Sequence, residues 1–464
     1  MNTSDSIVAL ATPPGIGAIA IVRLSGKDCF QLFSKISTVQ PKKLKHKSLL
    51  LIKLYQRTNN NLIDECVVIS YHAPNSYTGE NLIEICAHGS QLIPQLIIQA
   101  LIENGARLAR PGEFTERAFL NGKIDLVQAE SVDALIRAAT QSELSLVQNQ
   151  YSGAFSDSIK KVRDLLIELL SLLELELDFS DEDVEFASRD QLTELLDRTE
   201  KTLDILSQSY KRSHIIRGGF DVVITGKPNV GKSSLLNLIL KKERAIVTDI
   251  AGTTRDILTE QVDIAGYKFN FSDTAGIHRT TDPVEIEGIK RSSSAAQNAE
   301  LILMMIDGSQ KLTKDDWNLR EQLVTFSKNE QIKVIILVNK IDILDMSNDA
   351  EIQKFLQDVE YLTLSCLTGI GFRKLESVLI EKVKISTRKA IQFAGAIMND
   401  RQKNIITNAH GAINNANRNF QKGLTQEFIS SDIRHAVHYL SELTGDITTD
   451  EILSNIFSKF CIGK

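Results

Sequence analysis

The stretch "DVVITGKPNVGKSSLLNLIL" sets an apolar run, a glycine-bearing break and a second apolar run end to end. It contains Gly226-x4-Gly231-Lys232-Ser233, the spacing of a phosphate-binding loop between a buried strand and a helix. The chemistry this spacing serves is phosphate chemistry. Glycines let the backbone N–H groups of Asn229, Val230, Gly231, Lys232, Ser233 and Ser234 turn toward phosphate oxygens. Lys232 supplies an ammonium for the β and γ oxygens, a catalytic as well as a binding role, and the Ser233 hydroxyl suits Mg²⁺. A second stretch, "KVIILVNKID", ends in Asn339-Lys340-x-Asp342. The Asp342 carboxylate can accept from guanine N1–H and its N2 amino group, whereas adenine offers no such donor pair and would leave the carboxylate unpaired. "SCLTGIG" adds Ser365 and Cys366 on a loop suited to the guanine carbonyl. Together these residues imply GTP.

Two further stretches supply groups that would sense the γ-phosphate. "TDIAGTTRD" holds Thr248, Asp249, Ile250, Ala251, Gly252, Thr253 and Thr254, with Thr254 expected as the second Mg²⁺ hydroxyl. "SDTAGI" holds Asp273, Thr274, Ala275 and Gly276, with Asp273 at a strand end holding Mg²⁺ through water and Gly276 N–H on the γ-phosphate. The next residue is Ile277, where Ras-like enzymes place a water-orienting Gln. One of the nearby acids Asp282, Glu285 and Glu287 is left to position the water through a second water. The charge of an arginine finger would come from Arg255 or from a monovalent cation beside the loop. Asn229 and the backbone carbonyls of 248–253 are placed to hold such an ion.

The elements that must position these groups fall into four stretches. Residues 1–120 alternate strand-like runs ("AIAIVRLSG", "LLLIKLY", "CVVISYHA", "LIEICAHG") with one helical pattern, an α+β domain. Residues 121–215 are helical, with "DLVQAESVDALIRAATQSELSLVQNQ" reading as one long helix. Strands and helices alternate over 216–383, as in a parallel-sheet α/β domain. Residues 384–464 return to helix. The expected class is therefore multidomain α/β plus all-α: an N-terminal α+β domain, a helical domain from two segments, and an inserted Ras-like P-loop G domain.

Bulk properties narrow the class. The net charge of −6 means that any nucleic-acid contact needs a local patch, and "PKKLKHK" at 41–47 is the densest basic run. Five cysteines, odd in number and never in a CxxC pair, argue against a disulfide framework or zinc knuckle and suit a reducing cytosol. The start "MNTSDSIVAL" lacks the basic opening of a signal peptide, and the greasiest run, "LLIELLSLLELEL", carries Glu168, Glu174 and Glu176. A cytoplasmic protein with no membrane span is expected. "PPGIGAIAIV" reads as GxGxxA, but strand-like residues follow, so it is not a dinucleotide fingerprint. The terminal "CIGK" fits a prenylation box poorly, with Gly463 and Lys464 in the wrong places.

The stretches "IVALATPPGIGAIAIVRLSG", "PNSYTGENLIEICAHG", "ARPGEFTERAFLNGKIDLVQAE", "DIAGTTRD", "DTAG", "NKID" and "CIGK" resemble the tRNA modification GTPase family MnmE (TrmE) over essentially the whole chain. The resemblance implies a potassium-dependent GTPase that works as a homodimer. It implies a flavoprotein partner, MnmG (GidA), in a heterotetramer. With it the family modifies the wobble uridine of tRNA with an aminomethyl-type or carboxymethylaminomethyl group. The one-carbon unit would come from 5,10-methylenetetrahydrofolate or 5-formyltetrahydrofolate. Carried over by motif, Glu285 is the water-positioning acid, and Asn229, Thr248, Ile250 and Thr253 are K⁺ ligands. Arg23, Glu84, Lys123 and Lys464 are folate contacts; the basic groups suit folate carboxylates and Glu84 a pterin donor edge. Cys461 would then face the one-carbon unit, as nucleophile or as packing residue. Two other classes compete: a ribosome-assembly switch whose output is binding, and a folate-dependent methyltransferase with a vestigial G domain. The intact G-domain motifs disfavour the latter.

Overall fold

The computed structural model describes residues 5–56, 60–178, 189–245, 259–273, 299–330, 332–343, 349–392 and 399–463. The chain forms two compact units, one from 1–137, 148–204 and 404–464, the other from 138–147 and 205–403.

The first unit opens with β1 (Ile7–Leu10), β2 (Ile19–Ser25), α1 (Cys29–Ser34), β3 (Ser48–Tyr55), β4 (Leu62–Tyr71), β5 (Leu82–His88), α2 (Ile93–Glu103), β6 (Arg107–Leu108) and α3 (Glu113–Leu120). The strands make one sheet in the order β3-β4-β5-β2-β1-β6. Period-two alternation decides its faces. Val22, Leu24, Ile52, Leu54, Cys66, Val68, Ile83 and Ile85 bury one face against α1 and α2. Arg23, Tyr71 and Glu84 fall on the other face, half-buried.

Helices follow: α4 (Leu126–Arg137), α5 (Gln141–Tyr151), α6 (Ala154–Asp178) and α7 (Arg189–Gly218). The single long helix expected across 125–150 is broken between α4 and α5. Thr140 and Glu143 explain the break: Thr140 Oγ1 accepts the Glu143 N–H at 3.3 Å, and Glu143 Oε2 accepts the Ala139 N–H at 3.0 Å. This is a reciprocal cap that starts a new helix.

The second unit carries β7 (Phe220–Thr225), α8 (Lys232–Lys242), β8 (Arg244–Ala245), β9 (Thr259–Ile264), β10 (Tyr267–Asp273), β11 (Leu301–Asp307), α9 (Lys314–Glu330), β12 (Lys333–Asn339), α10 (Asp349–Leu356), β13 (Glu360–Thr363) and α11 (Phe372–Gln392). Its sheet runs β13-β12-β11-β7-β10-β9-β8. The first five strands are mutually parallel, and the last two add antiparallel at the edge. β11 and β12 are apolar almost throughout ("LILMMID", "KVIILVN") because helices cover both faces of a parallel sheet. Strand order reverses about β7, since β10 lies on one side and β11 on the other. That reversal opens a crevice at the carboxyl ends of the strands, where such folds take ligands.

Three helices close the chain: α12 (Asp400–Gln421), α13 (Gln426–Thr444) and α14 (Asp450–Phe457). In the first unit α13 packs on α6. Ile429, Ile433, Ala436, Leu440 and Leu443 recur at three- and four-residue spacing, as do Phe155, Ile159, Val162, Leu166, Leu169 and Leu173. Ion pairs Arg434–Glu174 and Arg163–Asp446 set the two helices antiparallel. The observed class matches the α/β plus all-α expectation. Among the described residues no helix is long and apolar enough to cross a membrane.

Candidate functional site

β7 ends at Thr225 and α8 begins at Lys232; the loop between them is the crest of the crevice. Its shape is held by residues far away in sequence. Val230 is buried in the sheet core, and its carbonyl accepts from Asn339 Nδ2 at 2.7 Å. Gly231 lies at φ 107°, and a Cβ there would run into the Asn339 amide, so only glycine fits the turn. Lys232 is buried at 6% exposure, and its Nζ donates to the carbonyls of Gly226 and Lys227 at 2.7 Å each. The ammonium is thereby aimed along the loop. Ser233, Ser234 and Asn229 are exposed, Asn229 at φ 66°.

Asn339 also ties the loop to the segment expected to read the base. Its Oδ1 accepts the Cys366 N–H at 3.0 Å. Asn339 is 2% exposed, so one buried amide bridges three segments and fixes them together. Lys340 sits at φ 63° and pairs through Nζ with Asp307 Oδ2 at 2.6 Å. Burial works against the charged Asp307, but hydrogen bonds from Lys340 and Ser309 outweigh it and hold its carboxyl low. Asp342 is exposed. Ser365 is fully buried and closes its own turn, its carbonyl accepting from Gly369 N–H at 2.8 Å and its Oγ from Thr368 N–H at 3.2 Å. Burial, and then the nearby Asp342 charge, push the Cys366 thiol up to about 11, so it stays protonated and packs. Asp273 closes β10 opposite Ile224, at the same strand end as the loop. Thr248, Asp249, Ile250, Ala251, Gly252, Thr253, Thr254, Thr274, Ala275, Gly276 and Glu285 lie outside the described residues.

One brace was not anticipated from sequence. Lys227 pairs with Asp316 Oδ2 at 2.6 Å and also reaches Thr313 Oγ1. Asp316 Oδ2 also accepts the Thr313 N–H at 2.8 Å and the Thr313 hydroxyl at 3.0 Å at the start of α9. The start of α9 thus holds the phosphate loop from outside. The T-x-x-D spacing in "LTKDDW" was the available signal.

A second cluster lies on the open face of the N-terminal sheet. Register sets Arg23 opposite Glu84, and they pair at 2.7 Å with a second bond from Arg23 Nε at 3.1 Å. The guanidinium lies over the rings of Tyr77 and Phe114, at 5.5 and 5.7 Å. Tyr71 OH donates to Glu84 Oε2 at 3.4 Å, and Tyr77 OH meets Thr115 Oγ1 at 2.9 Å. Arg23 therefore keeps one edge on Glu84 rather than standing as an open cation. Nothing in the sequence pattern singles out the three aromatic side chains, although Tyr77 sits in "PNSYTGENL". Lys123 is exposed and lies against Gly79, on the loop that carries Tyr77.

The C-terminal tail is docked. Phe457 and Phe460 pack with Phe119, Ile124, Leu126, Ala129 and Val132. Ile462 bridges Pro111, and Gly112 N–H approaches the Cys461 carbonyl at 3.4 Å. Gly463 lies at φ 96°, and any Cβ would strike the Leu10 carbonyl at the end of β1. Cys461 is exposed and within electrostatic reach of Arg137. Lys464 lies outside the described residues. Through Pro111 the tail comes within three positions of Phe114, which touches Arg23.

A phosphate loop at a switch point, braced by the Asn of N-K-x-D and joined to a Ser-Cys base loop, defines a GTP-binding domain of the P-loop class. Comparison with known proteins covers the whole chain. The MnmE helical domain matches residues 126–461 and the N-terminal domain of the GTP-binding protein TrmE matches 6–123. The tRNA modification GTPase MnmE of Parabacteroides distasonis is 39% identical over 99% of this chain and 100% of that protein. That of Aquifex aeolicus is 38% identical, again over 99% and 100%. Among solved structures, Aquifex aeolicus Era bound to GDP and AlF4⁻ is 31% identical over 35% of this chain and 56% of that one, with TM-score 0.28. The chain belongs to the MnmE family of tRNA modification GTPases, and it is a GTP hydrolase.

Proposed function

We propose that this GTPase acts as a potassium-dependent homodimer with the flavoprotein MnmG. Together they install an aminomethyl-type group on the tRNA wobble uridine, using a tetrahydrofolate one-carbon unit, in the cytoplasm. The domain limits 1–120, 121–215, 216–383 and 384–464 go with this reading: folate binding and dimerisation, helical segment, G domain, helical segment with tail.

The observation that carries the reading is the Arg23–Glu84 pair beside Tyr77 and Phe114 on the open sheet face, with the docked tail held at Pro111, three positions before Phe114. The cluster suits a flat heterocycle with donor and acceptor edges. Half-buried Tyr77 offers aromatic surface, fully buried Phe114 backs the Arg23 guanidinium, and Glu84 and Arg23 offer an acceptor and donors. Bound there, folate would supply the one-carbon unit. Arg23 and Glu84 would orient it, Lys123 and Lys464 would meet its carboxylates, and Cys461 would face the reacting end. The exposed leucines 49 and 51 on β3 offer apolar area for a second copy.

In the G domain, Lys232 supplies the ammonium for β and γ oxygens, and Ser233 and Thr254 serve Mg²⁺. Asn229 stands on the exposed crest, where it can join the backbone oxygens of Thr248, Ile250 and Thr253 around K⁺. The ion then supplies the positive charge of an arginine finger, while Glu285 positions the water that Ile277 cannot orient. Losing an electrostatic stabiliser of this kind costs about 10²–10³ in rate.

Three measurements test the reading. Sodium in place of potassium should slow GTP turnover strongly, and equal rates refute the ion's role. Nucleoside mass spectrometry of tRNA from a deletion strain should lack the modified wobble uridine and regain it with the wild-type gene. Complementation with Cys461→Ser separates a nucleophile, which loses modification, from a packing thiol, which keeps it.

A further inference from the structure

The basic run at 41–47 is a built feature rather than a loose loop. Pro41–Lys43 forms one 3-10 turn, and Leu44 plugs into the core at 2% exposure. His72 Nε2 sits 2.6 Å from the Leu44 carbonyl, and the His72 N–H donates to His46 Nδ1 at 3.1 Å. The Lys45 carbonyl accepts from both Ser48 Oγ and Ser70 Oγ at 2.7 Å, and Lys47 N–H donates to the Ser70 carbonyl at 2.7 Å. With the backbone pinned at Leu44, Lys45 and Lys47, the side chains of Lys42, Lys43, Lys45, His46 and Lys47 all stand exposed. Among the described residues none of these four lysines enters an ion pair.

In a chain of net charge −6, four unpaired ammonium groups on a pinned loop make a local field opposite in sign to the whole. The loop also has an address. His46 meets the Tyr71 ring edge-on at 6.5 Å, and Tyr71 OH donates to Glu84, the partner of Arg23. The loop, with Lys45 and Lys47 flanking His46, is therefore linked through His46 and Tyr71 to the cluster proposed for the one-carbon donor.

We infer that Lys42, Lys43, Lys45 and Lys47 form a phosphate-gripping rim that holds the sugar-phosphate backbone of the tRNA substrate beside the Arg23–Glu84 cluster. The inference rests on the tRNA-modification reading above and adds where the RNA lies. Pinned lysines suit this task because phosphate contacts fix register and need no base reading. Removing one such lysine–phosphate pair lowers the slope of log K against log salt by about 0.7–0.9.

The test uses the full-length protein with all four lysines changed to Gln (K42Q, K43Q, K45Q, K47Q) and a second version with all four changed to Arg. Binding of an unmodified tRNA transcript is titrated across a salt series, with GTP hydrolysis as the check on folding. The Gln version should bind at least about tenfold more weakly with a shallower salt slope, as expected when several phosphates go unneutralised. The Arg version should bind like wild type, and GTP hydrolysis should be unchanged in both. Equal affinity and slope for wild type and the Gln version overturn the inference. So does selective loss of binding to phosphatidylserine vesicles with tRNA binding intact, which would make the loop a membrane contact. Complementation keeps the two readings apart. If wild type restores the modified nucleoside and the Gln version does so equally, only the rim fails. If wild type does not restore it, the functional reading itself fails.

Discussion

The nucleotide loop and the N-terminal cluster are built on opposite plans. In the first, the loop residues that grip phosphate are neighbours in sequence, and distant residues such as Asn339 and Asp316 brace them. Lys232 and Ser233 adjoin the turn that uses them, and Asn339 reaches in to hold Val230 and Cys366. In the second, the proposed groups come from four separate segments, at Arg23, Glu84, Lys123 and the 461–464 tail. Arg23 meets Glu84 only because β2 and β5 pair in that register, and the tail reaches Pro111 only because α14 docks ahead of it. A site of the first kind survives changes of scaffold as long as its short motif is intact. A site of the second kind depends on the register of a sheet and the placement of a terminus, so it is sensitive to small backbone changes far from any reacting atom.

The largest expected effect lies on the contiguous site. Lys232→Ala removes the buried ammonium, and GTP hydrolysis should fall by about 10²–10³, the scale of losing a preorganised charge. Steady-state turnover measures it. A fall of less than tenfold would mean that the loop backbone, not the ammonium, carries most of the stabilisation. Folate binding should be unaffected, which keeps the two sites separate.

Gly463→Ala probes the dispersed site with one methyl group. The residue lies at φ 96° against the Leu10 carbonyl, so an alanine must leave that position, at a cost of about 1–2 kcal/mol for the backbone conformation alone. tRNA modification should drop several-fold while GTP hydrolysis is unchanged. Amide exchange at Ile462, which bridges Pro111, should rise. Unchanged exchange with full modification would show that the docked tail is dispensable, and the comparison would lose its second half.

This contrast also explains what could be read from sequence. The phosphate loop and the alternating strands were legible because each signal is local: a spacing, a glycine, a period of two or 3.6. Tyr77 and Phe114 over Arg23 were not, because ring placement depends on how loop and helix fold back onto the sheet. Pairing of Arg23 with Glu84 was not legible either, since register between strands 61 positions apart leaves no local trace. The break between α4 and α5 was legible in principle from Thr140 and Glu143, but uninterrupted apolar periodicity outweighed the cap.

Asp316→Ala asks how far bracing matters in the contiguous site. It frees Lys227 and removes the acceptor of the Thr313 N–H at the start of α9, a lost hydrogen bond of about 1 kcal/mol in stability. The KM for GTP should rise a few-fold with kcat little changed, because the loop loses a hold without losing a reacting group. Lys227→Arg, which can keep the pair, should stay near wild type. If kcat falls as far as with Lys232→Ala, Lys227 belongs to the chemistry and not to the brace.

The smallest effect lies at the other end of β7, away from the phosphate loop. Glu300 accepts the Asp221 N–H at 2.7 Å, and burial, with Asp221 adding its charge, raises the Glu300 carboxyl to about 7. A carboxyl raised in the folded state binds its proton more tightly there than in the unfolded chain. Folding is therefore favoured while Glu300 is protonated in the fold, and stability falls as pH rises from the ordinary carboxylate range through about 7. Above that the penalty is constant. Glu300→Gln keeps an acceptor for Asp221 N–H and never ionises. It should raise the thermal midpoint by a few degrees at pH 8, and the gain should shrink steadily as pH is lowered toward 5. Calorimetry at a series of pH values measures it, with GTP hydrolysis unchanged throughout. A gain that is the same at pH 5 and pH 8 would remove Glu300 ionisation as its cause. A change in GTP turnover would mean that the base of the sheet is coupled to the loop at its top, and that the bracing of the contiguous site runs the full length of β7.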